Sequence, residues 1–137
     1  MKRTGLRPPL MARYVGRLVR TGTMIHYEGR VFRSVVNSVG GDVSEGTTFQ
    51  YHQRGDLVWA TYAGGAVRFG TLLAKVDPLG NLDMRYQHLS VDGHFKSGRC
   101  QSRPEFLADG RLRLHEQWRW IDGAEGDGNS IVEEITG

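Results

Sequence analysis

The chain has 137 residues, of which 39% are hydrophobic and 24% are charged, and its one cysteine is Cys100. This composition predicts one globular domain, and a single cysteine excludes both an internal disulfide framework and a multi-cysteine zinc site. No apolar run has the roughly 18 residues of a membrane helix, and the cysteine content fits a reducing compartment, so we predict a cytoplasmic protein.

The positive charge is concentrated before Met24. The formal net charge of the whole chain is +3, yet residues 1–23 contain six basic and no acidic side chains. The remaining residues have 12 basic and 15 acidic side chains, a net charge of −3. A nucleic-acid-binding domain needs a basic surface on its folded part, so nucleic acid is not a predicted partner.

Residues 1–28 are predicted to be a basic N-terminal extension that contains a short helix. After Pro8-Pro9 and before Gly22, apolar residues recur at helical spacing; they are Leu10, Met11, Tyr14, Val15, Leu18 and Val19. A basic amphipathic helix can bind a membrane surface or an acidic partner. The favoured interpretation is a helix that caps the domain or a terminal tail, so membrane binding is not predicted.

From residue 30 onward, short segments of alternating polarity are separated by glycine-rich turns, which is typical of antiparallel strands. The predicted strands are 30–36, 47–53, 57–63, 66–76, 82–90, 94–102, 105–108, 111–121 and 130–136. Eight or nine strands in one open sheet would expose two edges, and closure into a barrel removes them. Because every connection is short, we predict an all-β, up-and-down antiparallel barrel formed by residues 29–137. A β-sandwich is the alternative.

Several polar side chains lie on the predicted inner faces. In strand 111–121, Glu116 shares its face with Leu112, Leu114, Trp118 and Trp120. An ionised carboxylate without a partner in an apolar interior costs about 5 kcal/mol. Glu116 must therefore be protonated, hydrogen-bonded or in contact with water inside the barrel.

The neighbouring strands add further candidates to the inner face. Strand 82–90 places Tyr86 and His88 on the face of Leu82 and Met84, and strand 94–102 places Cys100 with Ser102. Strand 47–53 places Tyr51 inward beside Phe49. In strand 57–63 both faces are apolar, so either Trp59 or Tyr62 points inward.

Two interpretations of these inner polar groups stay open: a hydrogen-bonded cluster that fixes strand register, and a cavity that holds a small organic molecule of aromatic or apolar character. The cavity is the leading hypothesis. Its predicted ligand-binding residues are Tyr51, Trp59, Tyr62, Cys100, Ser102, Trp118 and Trp120.

An enzyme is the second hypothesis. Glu116 and His88 would act as an acid/base pair in a lyase, isomerase or cyclase reaction, and Tyr86 would donate a hydrogen bond to a carbonyl oxygen. No cofactor is predicted, and no metal, because local two-histidine spacing is absent. The third hypothesis is a structural or oligomerising module, whose expected partner is a second copy of the chain in a homo-oligomer.

The segments VFRSVVNSVGGDVSEGTTFQYHQRGDLVWATYAGG, GNLDMRYQH, SGRCQSRPE and RLRLHEQWRW fall in order across about residues 30–135. Together they resemble a family of small bacterial proteins that is commonly labelled N-acetylglutamate synthase, and this resemblance implies an acyltransferase. The residues that match the family pattern are Tyr51, His52, Trp59, Tyr62, Tyr86, His88, Cys100, Glu116 and Trp118. In general form the predicted barrel is also similar to lipocalin and avidin barrels and to the small barrel cyclases of polyketide pathways.

Overall fold

A computed structural model describes residues 25–135 of the chain. These residues form one closed barrel of eight antiparallel strands, in which each strand pairs with the next and β8 pairs with β1. The strands are β1 (Val31–Asn37), β2 (Thr48–Arg54), β3 (Leu57–Gly64), β4 (Val67–Val76), β5 (Leu82–Ser90), β6 (Phe95–Phe106), β7 (Leu112–Asp122) and β8 (Asp127–Glu134). The predicted all-β up-and-down barrel is confirmed. The helix predicted between Pro9 and Gly22 lies outside the described residues.

Tight turns join the strands because glycine occupies the positions that need a left-handed backbone. Gly55 has φ 60° in the turn between β2 and β3, and Gly80 has φ 86° in the turn between β4 and β5. In the second turn, Asp77 accepts the amide hydrogen of Gly80 on its carbonyl oxygen. Residues with a Cβ rarely adopt this conformation, so glycine favours these turns. No helix in the described part of the chain is long and apolar enough to cross a bilayer.

The structure corrects two strand predictions. The predicted strands 94–102 and 105–108 are one continuous strand, β6. Pro104 interrupts the sequence pattern but not the strand, because pairing with β5 ends at Ser102 and Pro104 is paired only with Leu114 of β7. Proline is tolerated where a strand has a free side. The last strand begins at Asp127 rather than at Ser130, so part of the predicted loop is a strand.

One end of the barrel is filled by side chains. Tyr27, Phe32 and Tyr51 are fully buried there, and the rings of Phe32 and Tyr51 meet edge to face with centroids 4.9 Å apart. Tyr27 donates a hydrogen bond from its hydroxyl to the carbonyl oxygen of Gly80, at 2.5 Å. Tyr27, which precedes the predicted boundary between residues 28 and 29, therefore already packs inside the barrel.

Candidate functional site

The half of the barrel opposite the packed end contains a cavity of about 60 Å³. The inner face of β7 shows how the interior changes along the barrel. Leu112 and Leu114 are fully buried in the packed end, Glu116 is the next inward residue, and Trp118 and Trp120 follow. Glu116 and both tryptophans line the cavity, whereas the two leucines do not. Glu116 thus forms the floor of the cavity, and the tryptophans form one wall.

The carboxylate of Glu116 has hydroxyl neighbours rather than cationic ones. Ser130 of β8 donates a hydrogen bond to it at 3.2 Å. Ser102 of β6 lies directly opposite Glu116, and its buried hydroxyl has no hydrogen-bond partner of good geometry among the described residues. Burial raises the pKa of Glu116 to about 7, and the two nearby hydroxyls oppose this rise. The floor is therefore a weak acid that titrates near neutral pH.

Three aromatic side chains stand above the floor. The ring of Trp120 is 5.7 Å from that of Tyr86 and 5.8 Å from that of Trp118, measured between centroids, with interplanar angles of 63° and 59°. The rings therefore meet at steep angles and form a corner. Burial raises the pKa of Tyr86 well above its ordinary value, so the phenol is neutral at physiological pH and can donate a hydrogen bond.

A hydrogen-bonded chain of polar residues lies at the mouth of the cavity. The hydroxyl of Tyr62 is 2.9 Å from Nδ1 of His88, and Nε2 of His88 is 3.0 Å from Asp42. The ammonium group of Lys96 lies 2.9 Å from the same carboxylate. Burial alone would raise the pKa of Asp42, but hydrogen bonds from His88 and Lys96 hold it below its ordinary value. Asp42 is therefore an anion in this chain of contacts.

The contacts of Asp42 fix the β1–β2 loop over the cavity. In the same loop, the carbonyl oxygen of Gly40 accepts a hydrogen bond from the indole nitrogen of Trp120 at 3.0 Å. Gly41 lies so close to Trp118 that a Cβ at this position would be 3.2 Å from the indole ring. The loop thus covers the tryptophan wall and is tied to β5, β6 and β7.

The predicted ligand-binding residues divide into two groups. Tyr62, Cys100, Trp118 and Trp120 line the cavity, as do the predicted catalytic residues Glu116, His88 and Tyr86. Tyr51, Trp59 and Ser102 do not line it. Tyr51 belongs to the packed end, and Ser102 is the residue of β6 that is paired with Glu116.

Trp59 lies on the outside of the barrel, so Tyr62 is on the inner face of β3. Val58, Ala60 and Tyr62 are buried on the inner face. The indole of Trp59 instead stacks on His52 with ring centroids 5.5 Å apart. The expectation that Trp59 contacts a ligand inside the barrel is therefore wrong, because the side chains of a strand alternate between its two faces.

The structure does not bring His88 and Glu116 together. Lys96 lies opposite His88 and Ser102 lies opposite Glu116, and these two positions are six residues apart on β6. Both side chains line the cavity, but no hydrogen bond joins them. His88 is at the mouth with Asp42, and Glu116 is at the floor with Ser130. The predicted acid/base pair is thus two separate polar groups at opposite ends of one cavity.

Cys100 has the environment of a packed thiol. Its side chain is buried in the wall between Met84 of β5 and Trp118 of β7. Burial raises its pKa well above the ordinary value, and the negative charge of Glu116 raises it further. The thiolate that a nucleophile requires is therefore disfavoured.

Sequence reasoning missed Asp42 and Ser130. Ser130 shares the inner face of β8 with Val132, and the alternation of that strand would have identified it. Asp42 lies in a loop, and it contacts His88, which is 46 positions further along the chain. No periodic pattern in the sequence predicts the contact between Asp42 and His88. Within residues 25–135, no group of three or more His, Cys, Asp or Glu side chains could hold a metal ion.

Comparison with known proteins identifies a family. A family described as avidin-like protein matches residues 25–135, which include all eight strands. Neither the curated proteins nor the solved structures gave a significant match. Because the family match covers most of the sequence, the chain belongs to the avidin-like protein family. Proteins of this family bind small molecules and commonly form oligomers.

Proposed function

We propose that this avidin-like barrel binds a small organic molecule between the floor at Glu116 and the mouth at His88. The observation that carries the proposal is the cavity itself, which combines aromatic walls with a few polar groups directed at one space. Ligand sites commonly combine these two features. A closed barrel of eight strands is also just wide enough to enclose one small ligand.

The size of the cavity restricts the ligand. Its volume of about 60 Å³ is well below the roughly 300 Å³ that is the lower end for drug-sized ligands. The part of the ligand that reaches the floor therefore has only a few non-hydrogen atoms. A larger ligand would have to extend through the mouth and displace the β1–β2 loop.

Tryptophan fluorescence tests this function, because two of the chain's three tryptophans line the cavity and the third is outside. We expect a mixture of small metabolites to change the emission of the wild type and of Trp59→Phe equally. Trp118→Phe should lose much of the change, and its affinity should fall about tenfold, since a buried aromatic contact contributes about 1 kcal/mol or more. No fluorescence response to any metabolite, together with unchanged NMR spectra, would refute the proposal.

The enzymatic hypotheses stay predictions. Because His88 and Glu116 are at opposite ends of the cavity, a lyase, isomerase or cyclase mechanism would need each of them to act on a different part of the substrate. The N-acetylglutamate synthase activity implied by the resemblance also stays a prediction. No contact within the described residues favours either activity over binding.

We also propose that the barrel self-associates through an apolar strip on the outside of β4, β5 and β6. Phe69, Leu89 and Phe95 lie side by side in the strand register, and Phe69 and Phe95 are 53% and 77% exposed. Contiguous exposed apolar side chains are typical of protein interfaces. The common oligomerisation of this family supports the same interpretation.

Light scattering after gel filtration tests the proposed self-association. We expect Phe95→Asp to lower the molar mass to that of a monomer, because a charge in an apolar interface costs several kcal/mol. Leu79→Asp is the matched control: Leu79 is 76% exposed in the β4–β5 turn, outside the strip. A wild-type monomer, or an oligomer that Phe95→Asp leaves intact, would refute the proposed interface.

A further inference from the structure

The carboxylate at the floor of the cavity lacks a countercharge. Within residues 25–135, no Lys, Arg or His lies within ion-pair distance of Glu116, and its one hydrogen bond comes from the neutral Ser130. None of the cavity-lining residues in this part of the chain is Lys or Arg. An ionised carboxylate inside a protein normally has an oppositely charged partner. The missing countercharge is therefore best supplied by a ligand.

The aromatic corner above Glu116 suits a positively charged group. Tyr86, Trp118 and Trp120 present three ring systems to the same small space. Aromatic faces attract ammonium and guanidinium groups, and the attraction grows when water is excluded. The protein already places one ammonium group in this way, because Nζ of Lys96 is 5.8 Å from the centroid of the Trp120 ring.

We propose that the ligand of this barrel is a small organic cation, such as an ammonium or amidinium compound, whose charged group lies against Glu116 and the aromatic corner. This inference rests on the proposed ligand-binding function and specifies the chemical class of the ligand. The cation would supply the countercharge of the carboxylate, and its alkyl part would contact the apolar walls at Leu72 and Met84. A neutral ligand of the same shape would leave the carboxylate without a countercharge.

Three phenols and one thiol around the cavity stay in one charge state near neutral pH. Burial keeps the phenols of Tyr51, Tyr62 and Tyr86 and the thiol of Cys100 protonated. At the mouth, Asp42 is balanced by Lys96 and hydrogen-bonded to His88. Glu116 is thus the floor group whose charge changes near neutral pH. Because the cation needs the ionised carboxylate, its affinity should increase as the pH rises through about 7.

Acetamidinium, acetamide and acetate test the proposal because they have nearly the same shape and carry charges of +1, 0 and −1. We would titrate each into the full-length protein at constant ionic strength and follow tryptophan fluorescence and NMR shifts. At about pH 8, we expect acetamidinium to bind about tenfold more tightly than acetamide, and acetate to bind least. At about pH 5, the preference for the cation should fall below about threefold, since Glu116 is then protonated.

Two variants test whether Glu116 causes the preference for acetamidinium. Glu116→Gln keeps the shape of the side chain and should remove the preference for acetamidinium at every pH. Glu125→Gln removes the same charge from an exposed loop position and should retain the preference for acetamidinium. If acetamide binds the wild type as tightly as acetamidinium does, or only the metabolite mixture produces a response, the cation proposal is wrong and the ligand-binding function stands. If neither the three probes nor the mixture produces a response, both are wrong.

Discussion

Glu116→Gln is expected to make the barrel more stable at pH 8 and to change its stability little at pH 4. Burial raises the pKa of Glu116 from 4.5 to about 7, so ionising this side chain is harder in the folded state than in the unfolded state. A shift of this size corresponds to a destabilisation of up to about 3 kcal/mol once both states are ionised. Glutamine has no charge and can still accept the hydrogen bond from Ser130.

The sign of the pH dependence follows from proton binding. Between pH 4.5 and about 7 the folded protein holds the Glu116 proton more tightly than the unfolded chain does. Stability from this group is therefore fully present below pH 4.5 and decreases until the pH has risen through about 7. Urea unfolding of wild type and Glu116→Gln at several pH values would measure the difference directly.

The control for this experiment is Glu125→Gln, because Glu125 is exposed in the β7–β8 loop. We expect its unfolding free energy to follow that of the wild type across the same pH range, since exposed charges contribute little. If Glu116→Gln also follows the wild type, the carboxylate is well solvated in the folded state. That result would remove the argument for an uncompensated charge at the floor of the cavity.

The instability expected from Glu116 also bears on function. The inner face of β7 could continue with an apolar residue between Leu114 and Trp118, and the barrel would then be filled further. The chain instead places a carboxylate where the packed end stops and the cavity begins. Residues that reduce stability are characteristic of functional sites. This placement supports ligand binding over a filled structural barrel.

The sequence carried enough information to predict the barrel and the inner position of Glu116. Alternation in β5 and β7 is strict, so one register determines which side chains enter the interior. Strand β3 could not be resolved in this way because Trp59 and Tyr62, on opposite faces, are both large and aromatic. Only the stacking of Trp59 on His52 outside, and the contact of Tyr62 with His88 inside, distinguish the two faces.

The arrangement around His88 could not be predicted from the sequence. Two of its partners, Asp42 and Tyr62, are 46 and 26 positions away along the chain, and Asp42 is in a loop. Alternation reports which face a residue occupies, but it does not report its height along the barrel axis. That height separates His88 from Glu116, and it follows from the stagger between neighbouring strands.

Gly70→Ala is expected to destabilise the barrel and to release the β1–β2 loop. Gly70 lies on the inner face of β4, directly between Tyr62 of β3 and His88 of β5 in the strand register. A Cβ at this position would be 2.6 Å from Cε2 of Tyr62 and 2.7 Å from Cβ of His88. Glycine therefore provides the space in which the phenol and the imidazole meet.

The added methyl group has to displace Tyr62, His88 or the backbone of β4. Overpacking of this kind costs about 1–3 kcal/mol. Alanine in a strand without such contacts would instead stabilise the protein slightly, because it restricts the unfolded chain. Displacement of His88 would also weaken its hydrogen bond with Asp42. We therefore expect a lower unfolding free energy together with faster hydrogen exchange of the amides in residues 38–47.

A double-mutant cycle with Tyr62→Leu identifies the cause. Leucine lacks the ring atoms that the new methyl group would meet, so Gly70→Ala should cost about 1 kcal/mol less in that background than in the wild type. Equal costs in the two backgrounds would mean that the methyl group does not meet Tyr62. The hydrogen exchange of residues 38–47 tests separately whether His88 holds the loop. If hydrogen exchange there is unchanged while stability falls, the contact between His88 and Asp42 does not hold the loop over the cavity, and the mouth is closed mainly by the contacts of Trp118 and Trp120 with Gly40 and Gly41.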